Sequence, residues 1–71
     1  MRVQNRLWID VKRLREERNW LQEEAAQKLG ISRSYLSAIE NRKRNISINA
    51  MEAIMRVFHI KYEDFLKDES P

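Results

Sequence analysis

The chain has 71 residues, 14 Lys+Arg against 11 Asp+Glu for a formal charge of +3, with 42% hydrophobic and 35% charged residues. That balance is globular rather than disordered and fits one domain, and because a fold this small hides only roughly 60% of its unfolded surface, a partner subunit is expected to help stabilise it. The absence of cysteine excludes a disulfide framework, a thiolate zinc site and a cysteine nucleophile, and the single glycine, Gly30, excludes the phosphate-cradling loops that need several.

The first expected element is a helix from about Asn5 to Arg18, in which Leu7, Val11, Leu14 and Arg18 share one stripe. Trp8 lies beside that stripe, where partial burial and a subunit contact are equally open. Asn19 tolerates the left-handed conformation that ends a helix, and Arg15 and Arg18 suit the negative pole there. A short second helix follows from about Gln22 to Leu29. Glu23 and Glu24 favour its N-terminal pole, Ala25, Ala26 and Leu29 form its inner face, and Gly30 stands where a left-handed cap belongs. Trp20, between the two helices, is expected to pack rather than offer a stacking platform. Ser32 is a good N-cap for a third helix from about Arg33 to Asn41, with Leu36 and Ile39 inward and Arg33, Ser34, Ser37 and Ala38 outward.

Residues 42 to 46 have no helical stripe and read as a loop. Either Ser47 or Asn49 caps a fourth helix, whose face is Ile48, Met51, Ile54, Met55 and Phe58. Tyr62 to Lys67 makes a short fifth helix, apolar at Tyr62, Phe65 and Leu66, and a frayed tail follows. Five helices without an alternating strand pattern give an all-α fold. The basic N-terminus lacks the apolar stretch of a signal peptide, and no apolar run approaches a membrane span. The chain therefore reads as soluble and cytoplasmic, with no membrane partner.

Charge is unevenly spread: residues 1 to 20 carry six Lys+Arg and three acids, residues 31 to 45 four and one, and residues 46 to 71 three and five. A basic front suits an anion such as nucleic acid, although solvated basic helix faces would give the same arithmetic. The pattern from Gln22 to Asn41 adds something sharper. Two short helices joined across Gly30-Ile31-Ser32, the first with small packing residues and the second with donors on its outer face, match the helix-turn-helix plan. In that plan the second helix enters the major groove of double-stranded DNA, about 12 Å wide.

The stretch Gln22-Glu23-Glu24-Ala25-Ala26-Gln27-Lys28-Leu29-Gly30-Ile31-Ser32-Arg33-Ser34-Tyr35-Leu36-Ser37-Ala38-Ile39-Glu40-Asn41 resembles the lambda-repressor-like, or Xre, family of regulators. With the five-helix layout the resemblance extends over about residues 7 to 67. Arg33 to Ser37 and the loop Arg42 to Ile48 look most like the controller proteins of restriction-modification systems, dimeric regulators of their own operon, with phage and prophage repressors the close competitor. The resemblance implies that Arg33, Ser34 and Ala38 face bases. Only Arg33 among them has the fork that reads guanine O6 and N7. Gln22 matches a glutamine that contacts a backbone phosphate, and Tyr35, Ser37, Asn41, Arg42 and Lys43 match further phosphate contacts. Arg44 and Asn45 match a loop pair in the controllers, which makes Arg44 a second candidate for reading bases or a narrowed minor groove, with Asn45 at the backbone. Arg15 and Glu40 fit a family pair, a largely buried salt bridge that is structural.

Two positions depart from the family pattern. Leu21 stands where Ser or Thr is usual, so the second helix lacks its cap, for which Asn19 is a substitute candidate. Arg42 replaces a common glycine, so either Asn41 or Arg42 takes the strained turn conformation or the helix ends differently. Solvated surface arginines are the plain alternative for Arg33 and Arg44, and Tyr35 would equally serve to cover the seam between the second and third helices. Arg2 and Arg6 offer a flexible basic arm near DNA, although a disordered terminus is the commoner outcome. His59, between Phe58 and Ile60, reads as structural or interfacial. The apolar surplus at Met55, Phe58, His59, Ile60, Tyr62 and Phe65 is assigned to a homodimer interface. The expectation is one domain over residues 1 to 71 that binds DNA and dimerises on a roughly palindromic operator, with no enzyme activity, cofactor, metal or small-molecule substrate. A protein-interaction module such as an antitoxin is the rival.

Overall fold

A computed structural model describes residues 9–65, which form four α-helices and no strand. These are α1 (Val11–Glu17), α2 (Gln22–Leu29), α3 (Arg33–Glu40) and α4 (Ile48–Phe58), followed by a 3-10 turn at Tyr62–Phe65. The fold class is all-α, but the expected fifth helix is this four-residue turn. Its closure is local: the Asp64 amide donates to Lys61 O at 2.9 Å, and the Asp64 carboxylate accepts from the Lys61 amide at 3.0 Å. Leu66 and Lys67 lie outside the described residues, as do Arg2, Arg6, Leu7 and Trp8. Helix α1 also starts later than its stripe suggested. The Asp10 carboxylate accepts from the Arg13 amide at 3.1 Å and makes Asp10 the N-cap, so Ile9 and Asp10 are not helical.

All four helices end by the same device, a left-handed residue whose following amide reaches back five residues to a helix carbonyl. The pairs are Trp20 N–H to Arg15 O, Ile31 to Ala26, Lys43 to Ala38 and Ile60 to Met55. The left-handed residues are Asn19 (φ 60°), Gly30 (71°), Arg42 (59°) and His59 (58°). Of the two candidates after α3, the strained one is therefore Arg42. Asn19 closes α1 and does not cap α2. Leu21 is the α2 N-cap and has no acceptor to offer, although the Glu24 carboxylate accepts from the Leu21 amide at 2.9 Å. Ser32 and Ser47 cap α3 and α4, their hydroxyls accepting from the Tyr35 and Ala50 amides.

The core gathers Val11, Leu36, Ile39, Ile54, Phe58 and Phe65, with Ala25, Ala26 and Leu29 closing α2 against α3 and α4. Ile46 anchors the loop from beneath, a burial that the absence of helical period in residues 42 to 46 did not signal. Along α4 the buried residues are Ala50, Met51, Ala53, Ile54 and Phe58. At about 100° per residue, Ile48 falls beyond Met55, past the edge of that arc, and it is 58% exposed rather than inward. Phe58 and Phe65 sit in the chain's own core. They cannot belong to the dimer surface assigned to them, because their area is already covered. Behind α2, the Trp20 ring lies 5.5 Å from Phe58, Lys28 Nζ is 4.9 Å from Trp20, and the Arg18 guanidinium is 4.8 Å from the Phe58 ring. Trp20 is thus a packing residue between α1 and α2 that also reaches α4.

Candidate nucleic-acid interface

Helix α2 and helix α3, joined through Gly30, Ile31 and Ser32, pack against one another and turn the outer face of α3 to solvent. Leu36 and Ile39 hold α3 from below, which leaves Arg33 and Ser34 exposed and Ser37 and Ala38 half-buried. Gln22, Arg33, Ser34 and Ser37 line one shallow open cleft where the start of α2 meets α3. Amide and hydroxyl groups beside an arginine are the chemistry that phosphate oxygens and base edges accept.

The cleft is braced from the core side. Arg15 Nε and Nη2 donate to the two Glu40 carboxylate oxygens at 2.7 and 3.0 Å, and Arg15 Nη1 donates to Trp20 O at 2.9 Å. Gln22 Nε2 donates to Glu40 Oε1 at 3.0 Å, so the same carboxylate orients the glutamine at the cleft's lip. An amide nitrogen has two hydrogens. Glu40 takes one of the two Gln22 amide hydrogens, and the helix start that Gln22 opens has no side-chain cap from Leu21. The hydrogen bonds and charge of Glu40 hold the Arg15 guanidinium protonated more firmly than a free arginine, against the opposing effect of burial.

Beyond α3 the chain runs through Asn41, Arg42, Lys43, Arg44 and Asn45, all exposed. Asn41 Nδ2 donates back to Ser37 O at 2.9 Å, which ties that amide to α3. The Arg44 guanidinium lies 5.6 Å from the Tyr35 ring centre. Tyr35, half-buried, donates its hydroxyl hydrogen to Asn45 O at 2.9 Å and accepts from the Ser47 amide at 3.0 Å. These two bonds are absent from any sequence signal, since they join residues ten and twelve apart through a hydroxyl. The structure thus brings Gln22, Arg33, Ser34 and Ser37 to one cleft and Arg44 to the Tyr35 ring, while the side chains of Arg15 and Glu40 are withdrawn from the surface. Met55, His59, Ile60 and Tyr62 follow α4 and its end, with Tyr62 51% exposed.

Comparison with known proteins agrees with this architecture. The helix-turn-helix family model matches residues 11–65. An uncharacterized HTH-type transcriptional regulator of Archaeoglobus fulgidus is 38% identical over 60 residues, which cover 83% of this chain and 84% of that protein. A crystal structure of a mutant of the restriction-modification controller protein C.Esp1396I superposes with a TM-score of 0.65 at 33% identity, covering 78% of this chain and 71% of that one. The structure of SinR, the master regulator for biofilm formation, in complex with DNA gives a TM-score of 0.71 at 33% identity, over 80% of this chain and 95% of that one. No helix among the described residues is long and apolar enough to cross a membrane. With a family model that spans most of its length and a relative this similar, the chain belongs to the helix-turn-helix family as an Xre-type DNA-binding transcriptional regulator, not an enzyme.

Proposed function

We propose that the protein acts in the cytoplasm as a homodimer that reads a roughly palindromic operator, and that it is the controller of a restriction-modification operon that includes its own gene. The observation that carries the DNA-reading part is the polar cleft lined by Gln22, Arg33, Ser34 and Ser37, followed in the chain by the exposed basic loop Arg42 to Arg44, with the Glu40 side chain buried against Arg15. In this reading Arg33, Ser34, Ala38 and Arg44 face bases, while Gln22, Ser37, Asn41, Arg42, Lys43 and Asn45 meet the backbone. The finer assignment is supported by likeness to a controller protein in both fold and sequence. The dimer would use Met55, His59, Ile60 and Tyr62, joined by Ile48, which shares the uncovered flank of α4 with Met55.

Selection of bound duplexes from random DNA tests the whole reading. A palindrome with half-sites about 34 Å apart is expected, and it should recur upstream of the protein's own gene beside restriction and methyltransferase genes. Arg33→Ala should weaken binding to the selected duplex by about tenfold and relax the preference for one guanine. Affinity that is flat between low and high salt would refute a phosphate-contacting surface.

A further inference from the structure

The loop between α3 and α4 is exposed from Asn41 to Asn45 and carries three cations, yet it is not left to fluctuate. Its first end is closed by the amides of Arg42 and Lys43 bonding back to Ile39 O and Ala38 O, and its far end by the buried Ile46. Between those anchors the tie is Tyr35. The Ser32 hydroxyl fixes the Tyr35 amide at 3.0 Å, and the Tyr35 hydroxyl then gives its hydrogen to Asn45 O and takes one from the Ser47 amide. Its ring is also what the Arg44 guanidinium lies over. One side chain of the third helix therefore holds the loop backbone, the N-cap residue of α4 and a loop arginine.

We propose that Tyr35 is a positioning residue for DNA reading: its hydroxyl latches residues 43 to 47 to α3, so that Arg44 is set over the Tyr35 ring before DNA arrives. This rests on the DNA-reading function proposed above and refines the phosphate role that the family pattern implies. A phenol has one hydrogen to give. Here Asn45 O has it, so a phosphate oxygen could take it only by releasing the loop, and the latched state and a direct phosphate bond exclude one another. The benefit of the latch is preorganisation, since an arginine already placed loses less freedom on binding.

Tyr35→Phe removes the hydroxyl and keeps the ring under Arg44. In the free protein, backbone ¹⁵N order parameters at residues 43 to 45 should fall from the rigid range near about 0.85 to below about 0.6, with the thermal midpoint nearly unchanged because the freed groups are at the surface. A loop that stays as rigid as in the parent overturns the latch. Binding to the duplex selected by the parent protein then supplies a double-mutant cycle. Arg44→Ala alone should weaken binding about tenfold, and in the Tyr35→Phe background by no more than about threefold, because an unplaced arginine has less to lose. Equal losses in both backgrounds would mean an independent contact, such as hydroxyl to phosphate, and would sink the proposal while leaving the DNA-reading function intact. Failure of the parent to select any sequence would instead refute that function, and the latch's part in readout with it, whatever the order parameters show.

Discussion

Glu40 accepts three hydrogen bonds with a carboxylate whose side chain is only 2% exposed: two from Arg15 and one from Gln22. A bidentate arginine pair withdrawn from water is geometrically specific, but its Coulomb attraction mostly offsets desolvation, so its net worth is small while its disruption is costly. Glu40→Ala should therefore destabilise the protein by about 3 to 5 kcal/mol, since it strands the Arg15 charge. Urea denaturation measures this, and a loss below about 1 kcal/mol would show that Arg15 finds water instead. Because the Arg15 pKa is raised by Glu40 from a value already high, the pair's stabilising effect from the arginine side is fully present below its unfolded pKa. It does not vary near neutrality. Arg18 works in the same spirit at lower cost, donating to Leu14 O and Phe58 O and lying over the Phe58 ring, which ties the end of α1 to the end of α4.

Helix ends decide how the surface is presented, and α2 has the weakest start. Leu21 is 69% exposed and offers no acceptor, while Glu24 already completes the reciprocal half of a capping box. Leu21→Ser should accordingly add about 1 kcal/mol of stability, read as a higher urea midpoint at unchanged slope; no gain would mean that the α2 amides are satisfied in another way. The helices themselves were legible because their signals are local: Ser32 before α3, Gly30 after α2 and the apolar spacing within each are properties of adjacent residues. What escaped the sequence was set by longer-range packing. The missing glycine pointed to Asn41 or Arg42 for the turn, but that Arg42 takes it follows from the need to close α3 before the loop. The burial of Ile46, the exposure of Ile48 and the Tyr35 hydroxyl bonds likewise depend on where α4 lies. The span of α3 and the loop after it were legible, but the Tyr35 hydroxyl bonds that hold that loop were not.

At the scale of the molecule, one copy measures 36 × 23 × 20 Å and carries one recognition helix of 8 residues. Such a helix is about 12 Å long and reads one major-groove face. Two grooves on the same side of a duplex lie about 34 Å apart, so reading both requires a second copy with its α3 turned to the same side of the DNA. Apolar surface is left on the flank of α4 and the segment after it, where Ile48 and Tyr62 are exposed and Met55 and Ile60, packed against the core, are partly so. Phe58 and Phe65, beneath them, anchor that segment to the core and do not depend on a partner. Tyr62→Asp should for this reason leave the monomer folded while placing a charge in the subunit contact. By sedimentation the parent is expected as a dimer and the variant as a monomer with a near-parental far-ultraviolet circular dichroism spectrum. Binding to a full palindrome should fall by about a hundredfold or more, because the second half-site is no longer delivered at high effective concentration. Binding to an isolated half-site by the monomer should stay weak and unchanged in base preference. A Tyr62→Asp protein that still sediments as a dimer would place the subunit contact elsewhere on the molecule and leave the apolar flank of α4 without a function.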